Sequence, residues 1–332
     1  MAAHNRYGGN VEKRLVRKRL VVVTGLIAAL AVVLAGCGDE AGSPPRGIVI
    51  GSSEDPAMRV MAEVYAGALR NAGSVVSADQ LRGDDAELLD EMDRADLDLF
   101  PAFTGDLLTM LAPSSTAVGA EDVYVELNRS LPQGVSVGDE TPVSGAPQIF
   151  VSTTLAGSVG ASGLDDCVLL PPGLPVVATS DPDPATLGAF AFAGCRLGPV
   201  QTVGTTDEVL QRASEGNAVG LLTPLDIAGE DAEGASSDVQ ALRSSAGGGD
   251  TADNPPADEP STEAAPEEQS GPRAEVLVPV FRSAALNRDQ VKTMNKVAGE
   301  ITTADLATMA GEVETGSDPR EVALEWLAEH GL

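Results

Sequence analysis

The chain has 332 residues, 43% of them hydrophobic and 3% aromatic, which is enough for about two domains of ordinary size. Asp and Glu outnumber Lys and Arg by 50 to 21, which gives a formal charge of -29 at neutral pH. This balance argues against nucleic acid as a partner, because proteins that bind it need clustered Lys and Arg to displace its counterions. The acidity itself indicates a well-solvated surface.

The beginning of the chain has the parts of an export signal. A basic stretch at 14–19 precedes an apolar run at 20–34, and small residues follow the run. A transmembrane helix is the competing interpretation, but it needs about 20 apolar residues. Acidic residues and prolines follow at once at 39–45, which favours a signal peptide over 1–36.

The end of the apolar run, Leu34-Ala35-Gly36-Cys37, resembles the lipobox of bacterial lipoproteins. In that family the cysteine receives a diacylglycerol and becomes the new N-terminus. The resemblance implies cleavage before Cys37, a palmitate-type lipid anchor on it, and a short tether over 37–46. It also implies that the protein is held at the extracytoplasmic face of the cell membrane.

Two further cysteines, Cys167 and Cys195, follow the lipobox. An exported protein folds where thiols oxidise, so this pair predicts one disulfide. Two buried free thiols or a metal pair are the alternatives. No histidine lies near either cysteine to complete a metal site.

The next part of the chain alternates strands with helices. A strand is predicted at 47–51, and Asp55 then caps a helix whose first position is Pro56, where the missing N–H costs nothing. The elements that follow are a strand at Val75 and Val76, a helix at 84–95, a strand at 97–100 and a helix at 105–111. Such alternation predicts a parallel sheet that is covered on both faces.

A Gly/Pro/Ser-rich passage at 131–147 predicts a crossing into a second α/β unit. The elements predicted there are strands at 148–153, 167–170 and 218–223, and a helix at 205–215. Residues 229–272 differ in kind, since they hold 11 acidic residues, one arginine and no aromatic residue. Because so polar a stretch buries too little apolar surface to order itself, a disordered acidic insertion is predicted over 229–275.

Order is expected to return with a strand at 276–281. Thr302 and Asp305 offer a helix-capping signal, and Asp318 followed by Pro319 begins a last helix. Trp326 falls on the apolar face of that helix and is predicted to anchor the core.

The sequence gives little support to an enzyme. Its only histidines are His4 and His330, so a Ser-His-Asp or Cys-His arrangement lacks an internal histidine. The glycines at 157, 160 and 163 have no strand directly before them, which argues against a phosphate-binding loop. The aspartates at 93, 96 and 98 lack the glycine and closing glutamate of a calcium loop. We therefore expect no catalytic residue, metal or cofactor.

Several segments together resemble the substrate-binding proteins of glycine betaine/choline-type ABC transporters, over nearly all of the mature length. The most specific is Asp98-Leu99-Phe100-Pro101-Ala102-Phe103-Thr104-Gly105, where the family carries Asp-Leu-Tyr-Pro-Glu-Tyr-Thr-Gly. Ile50-Gly51-Ser52 before Ser53 and Glu54, the segment 222–226, and the C-terminal segment 279–327 also follow the family pattern.

This resemblance implies a type II periplasmic-binding-protein fold, with two α/β lobes, a hinge and an inter-lobe cleft. Lobe 1 would comprise 47–143 plus 276–332, and lobe 2 would comprise 144–228. The function that it implies is capture of a small polar solute, with a quaternary ammonium as one candidate, by a monomeric binding protein. A separate ABC permease and ATPase would carry out the transport. An envelope lipoprotein that uses the same fold for sensing or interaction, without transport, is the alternative.

The expected ligand-binding residues follow from the matched segments and from aromatic side chains able to attract a quaternary ammonium through their faces. They are Ser52, Ser53, Glu54, Phe100, Phe103, Thr104, Phe150, Thr223 and Asp226. Phe100 and Thr104 lie at the C-terminal end of a predicted parallel strand, where open α/β sheets bind ligands. The alternative for Phe100 is a place in the core, and for Ser52 the start of a turn.

Overall fold

The structure is a computed structural model that describes residues 46–228, 238–243 and 271–332. The predicted signal peptide, the lipidation site Cys37 and nearly all of the tether lie outside the described residues. Residues 229–237 and 244–270 of the expected insertion also lie outside them. Within the described ranges, no helix is both long and apolar enough to cross a membrane.

The first lobe contains a five-stranded mixed sheet in the order β2-β1-β3-β10-β4. β1 pairs in parallel with β2 and β3, and β10 runs antiparallel to β3 and β4. The strands are β1 (Ile48–Ser52), β2 (Val76–Arg82), β3 (Leu99–Phe103), β4 (Val135–Val137) and β10 (Leu277–Arg282). The parallel pairing predicted from the alternating strands and helices is confirmed for β1, β2 and β3, whereas β10 returns to this lobe from the opposite direction and runs antiparallel.

The helices of the first lobe cover both faces of its sheet. They are α1 (Pro56–Asn71), α2 (Asp85–Asp93), α3 (Thr104–Leu111), α4 (Ala120–Ser130), α9 (Arg288–Glu300), α10 (Thr303–Glu314) and α11 (Pro319–His330). α1 is buried along most of its length under α9, α10 and α11. Its N-terminus is capped as predicted, since Asp55 Oδ1 accepts hydrogen bonds from the amides of Ala57 at 2.8 Å and Met58 at 3.2 Å. Trp326 is buried against this cluster, which confirms its predicted place in the core.

An ion pair whose carboxylate is buried fixes β10 beside β3. Arg282 Nη2 donates to Asp98 Oδ1 at 2.6 Å, and Asp98 Oδ2 accepts from the amide of Val49 at 2.9 Å. Asp98 therefore connects the ends of three adjacent strands. Because removing one partner of a buried pair leaves an uncompensated charge, this aspartate has a structural role.

The second lobe contains another five-stranded mixed sheet, in the order β7-β6-β8-β5-β9. β6 is parallel to β7 and β8, whereas β5 is antiparallel to β8 and β9. Its strands are β5 (Gln148–Ser152), β6 (Leu174–Ala178), β7 (Leu197–Thr202), β8 (Val219–Leu222) and β9 (Val239–Leu242). Its helices are α5 (Thr153–Val159), α6 (Pro184–Phe192), α7 (Thr206–Ser214) and α8 (Pro224–Ile227), with a 3-10 helix at Leu164–Leu169.

The strand predicted at 167–170 is wrong, because most of these residues belong to the 3-10 helix. Cys167 and Leu170 point into the core while Val168 and Leu169 are half-exposed, so the short apolar run is not a buried strand. The predicted disulfide is present, with Cys167 and Cys195 joined at an S–S distance of 2.08 Å. Both cysteines are buried in the core of this lobe.

Part of the expected disordered insertion is ordered. β9 lies within it and forms the edge strand of the second sheet, with Val239 and Leu242 buried. The end of the insertion is ordered too, because the guanidinium of Arg273 donates to the carbonyls of Ala117 and Ser115 at 2.9 and 2.7 Å. Disorder is therefore the wrong prediction for these residues.

The two lobes are joined by segments that lie side by side. Ser144 and Val276 form an isolated antiparallel bridge, and the amide of Leu277 donates to the carbonyl of Val143 at 3.1 Å. The chain thus leaves the first lobe and returns to it at one place, as a hinge between two lobes requires.

Candidate functional site

A cavity of about 860 Å³ lies between the two lobes. The first lobe contributes the start of α1, the end of β3 and the C-terminal half of α10. The second lobe contributes the starts of α7 and α8. Its size is ordinary for a small-molecule site, and clefts between domains are where such sites usually occur.

The lining is acidic. Five carboxylates belong to it, namely Asp55, Asp207, Asp226, Glu312 and Glu314, and no Lys, Arg or His among the described lining residues offsets them. In the part of the chain that the structure describes, none of the five forms an ion pair. The cavity therefore carries a field that attracts cations and repels anions.

Three helix N-termini meet at the cavity, and at each of them at least one amide of the first turn is already bonded within the protein. Asp55 caps α1 as described above, and Thr205 Oγ1 accepts from the amide of Glu208 at 3.2 Å at the start of α7. At the start of α8, the Thr223 amide donates to Asp226 Oδ2 at 2.7 Å, and the Asp226 amide donates to Thr223 Oγ1 at 3.2 Å. Helix N-termini favour anions, and these caps occupy part of the amide groups that would bind one.

Phe103 supplies the one aromatic ring among the described lining residues. It ends β3 and is only partly buried, with one side against Gly145 of the inter-lobe crossing. A side chain at position 145 would meet the ring, because an added Cβ would lie 2.8 Å from the Phe103 Cζ. Gly145 thus allows the crossing segment to pass directly over the ring.

Thr223 and Asp226, like Phe103, are predicted site residues that the structure places on the cavity. Phe100, Phe150 and Thr104 are not among the residues that line it. Phe100 is 0% exposed in the core between β3 and α3, and Phe150 is 4% exposed in the core under α7. Thr104 is also fully buried, and its Oγ1 accepts from the amide of Val276 at 3.1 Å, which fixes β10 to the end of β3.

The predicted loop after β1 reaches the cavity through its second half. Ser52 is buried, accepts a hydrogen bond from the guanidinium of Arg82, and donates to the carbonyl of Ser53 at 2.9 Å. Ser52, Ser53 and Glu54 are not among the lining residues, whereas Asp55 directly after them is. The alternative interpretation of Ser52 as the start of a turn fits these contacts.

Sequence reasoning missed two parts of the site. Thr205 to Asp207 follow the C-terminal end of the parallel strand β7, so a correct assignment of that strand would have indicated them. Glu312 and Glu314 lie at the exposed end of α10, and no motif in the neighbouring sequence marks them as site residues. Only the packing of α10 against α8 brings them to the cavity.

A second acidic group lies around the start of α3, outside the cavity lining. Glu275 Oε2 accepts from the amide of Asp106 at 2.9 Å. Burial, and then the nearby Asp106, raise the pKa of Glu275 to about 8. Burial also raises the pKa of Asp85 to about 6. Burial, and then the negative charge of Asp183 in the second lobe, raise the pKa of Asp106. Among the described residues, no group of carboxylates, cysteines or histidines has the arrangement of a metal site.

Comparisons with known proteins establish the fold. No protein-family model matches the chain, and no curated protein does. Among solved structures, a glycine betaine/carnitine/choline ABC transporter matches with a TM-score of 0.63 and 13% identity, over 86% of this chain and 98% of that one. Apo YehZ from Escherichia coli matches with a TM-score of 0.59 and 16% identity, over 86% of this chain and 99% of that one. The chain thus has the two-lobe α/β fold of periplasmic binding proteins.

Proposed function

We propose that this chain is a solute-binding lipoprotein of an ABC uptake system and captures a small cationic solute between its lobes. The observation that carries the proposal is the inter-lobe cavity, whose five carboxylates are not offset by any described basic side chain on its lining. A solute-binding role agrees with the fold that the chain shares with a glycine betaine/carnitine/choline ABC transporter.

Capture follows from the hinge. The adjacent crossings near Ser144 and Val276 allow the lobes to approach each other, as in hinge closure around a ligand. In the absence of a cation, the carboxylates on the two walls repel each other and oppose closure. A bound cation offsets this repulsion, and expulsion of water on closure strengthens the attraction because the effective dielectric constant falls.

Transport requires further proteins. The sequence has no convincing phosphate-binding loop, so a separate ATPase and permease would supply energy and a path through the membrane. The lipobox-like segment before Cys37 would keep the protein beside them at the extracytoplasmic face.

Calorimetric titration of the full chain with cationic, neutral and anionic solutes of similar size tests the binding role. We expect measurable heat for at least one organic cation and none for its anionic counterparts. Asp207→Asn should weaken that cation by about tenfold, the usual effect of losing a charge-assisted contact. Tighter binding of an anion than of any cation would contradict the proposal.

The anchor requires a separate test, because lipidation and binding can fail independently. In a bacterial host given labelled fatty acid, the chain should incorporate label and Cys37→Ala should abolish it. Equal labelling of both proteins would rule out the lipid on Cys37. Uptake of the bound cation in cells that lack this protein would distinguish transport from sensing, since only a transport role predicts reduced uptake.

A further inference from the structure

The chemistry of the cavity wall narrows the class of cation. A quaternary ammonium has no N–H group and is recognised mainly by aromatic faces. Primary ammonium and guanidinium groups carry several N–H donors and bind best where carboxylate and hydroxyl oxygens accept them. The balance between rings and acceptor oxygens therefore indicates which type of cation a cavity suits.

In this cavity the acceptor oxygens prevail. Phe103 is the one aromatic residue of its described lining, and a single ring cannot enclose a trimethylammonium group. One face of that ring is also covered by Gly145. By contrast, five carboxylates line the cavity together with the hydroxyls of residues such as Thr206 and Thr308.

A zwitterionic ligand fits the wall poorly for a different reason. Its carboxylate would need a positive partner, but the described lining offers no Lys, Arg or His. The helix starts at the cavity are capped by Asp55, Thr205 and Thr223, and each cap already occupies at least one amide of the first turn. A ligand carboxylate would meet five like charges without compensation.

The carboxylates are divided between the two walls. Asp55, Glu312 and Glu314 belong to the first lobe, and Asp207 and Asp226 belong to the second. A single positive charge leaves most of this negative charge uncompensated, whereas two separated charges can pair with both walls. A cation with two or more centres would therefore favour closure more strongly.

We infer that the ligand is an organic di- or polycation whose nitrogens carry N–H groups, such as a diamine, a polyamine or a bis-guanidinium compound. This inference rests on the proposed function and names its substrate class. It assigns recognition to N–H···O hydrogen bonds from both ends of the ligand to carboxylates on opposite walls.

The decisive comparison uses two probes that differ only in whether their nitrogens carry hydrogens or methyl groups. 1,6-Diaminohexane and hexamethonium share the same carbon chain and the same two charges, but all nitrogens of hexamethonium are fully methylated. Titrated into the full chain at a fixed ionic strength of about 0.15 M, which holds screening constant, the diamine should bind at least about tenfold more tightly. Choline and glycine betaine serve as single-centre quaternary probes and should bind more weakly than the diamine.

Matched variants separate wall contacts from the net charge of the protein. Asp207→Asn and Glu312→Gln change one carboxylate on each wall, and each should weaken the diamine by about tenfold. Glu325→Gln makes the same charge change at an exposed position on α11 and should leave the affinity unaltered. An equal loss in all three variants would overturn the assignment of wall contacts.

The remaining outcomes separate this inference from the proposed function. If hexamethonium or choline binds as tightly as the diamine or more tightly, the inference fails and a cation-binding role stands. If none of these cations binds while a neutral or anionic solute does, the proposed cationic function fails and the inference fails with it.

Discussion

The carboxyl group of Glu275 gives a pH-dependent contribution to stability whose sign can be worked out. Its ordinary pKa of 4.5 is raised to about 8 in the folded protein, by burial and then by the nearby Asp106. Between these values the unfolded chain loses the proton and the folded chain keeps it. The free energy of unfolding therefore falls as the pH rises from about 4.5 to about 8, with no further loss above that range.

The size of the effect follows from the shift and the surroundings. A shift from 4.5 to about 8 corresponds to at most ~5 kcal/mol, at ~1.36 kcal/mol per pH unit. The Glu275 side chain is only partly buried, and Arg273 lies near enough to favour its charged form. Solvent screening therefore reduces the expected contribution to about 1–2 kcal/mol.

Glu275→Gln removes the titration while keeping an oxygen that can accept from the amide of Asp106. Relative to the wild type, the variant should gain about 1–2 kcal/mol of stability between pH 5 and pH 9, or about 3–6 °C in thermal midpoint. Thermal unfolding of both proteins across this range measures the difference, with Glu325→Gln as the control for net charge. If the difference in midpoint between Glu275→Gln and the wild type stays constant with pH, the reasoning is refuted.

Three further changes test the packing. Replacing Cys167 and Cys195 by alanine should lower the free energy of unfolding by about 3–4 kcal/mol, because the crosslink restricts a loop whose ends are 28 residues apart; an unchanged urea midpoint would contradict this. Phe100→Ala should lower the free energy of unfolding by about 3–5 kcal/mol and leave the cation affinity measured by calorimetry unaltered. Weaker binding by a variant of normal stability would instead indicate that Phe100 contacts the ligand. A short Gly-Ser linker in place of 244–270 should leave the melting curve unchanged. Deletion of 239–242 as well should lower the thermal midpoint, and equal midpoints for the two variants would show that β9 does not stabilise the second sheet.

The sequence was most informative where a cap or a helix breaker stands at an element boundary. The pairs Asp55-Pro56 and Asp318-Pro319 predict the starts of α1 and α11, and both helices begin at the proline. Prediction fails where the sequence shows neither the 3.6-residue period of an amphipathic helix nor the two-residue period of a strand. α6 is apolar nearly all round, and β7 contains both Gly198 and Pro199, so neither shows a clear alternation of polar and apolar residues.

The candidate site likewise contains residues that the sequence can predict and residues that it cannot. The loop after β1 is predicted to face the site because it follows a parallel strand, yet the residues named there, Ser52, Ser53 and Glu54, do not line the cavity, whereas the next residue, Asp55, does. The joint assignment of Phe100 and Phe103 to the site contradicts the period of a strand, since residues three apart point to opposite faces. The sequence alone could have excluded one of them. Glu312 could not have been found in this way, because it reaches the cavity only through the packing of α10.

The position of β10 also decides when the first lobe can be completed. This strand lies between β3 and β4 in the sheet, yet the whole second lobe precedes it in the chain. A nascent polypeptide that emerges N-terminus first can pair every described strand of the second lobe, from Gln148 to Leu242, while the first sheet still has a gap. Such long-range pairing is slow and leaves strand edges exposed until it occurs. Chains cut short before residue 277 should therefore be targets for proteases in the first lobe, while the second lobe already has all its strands.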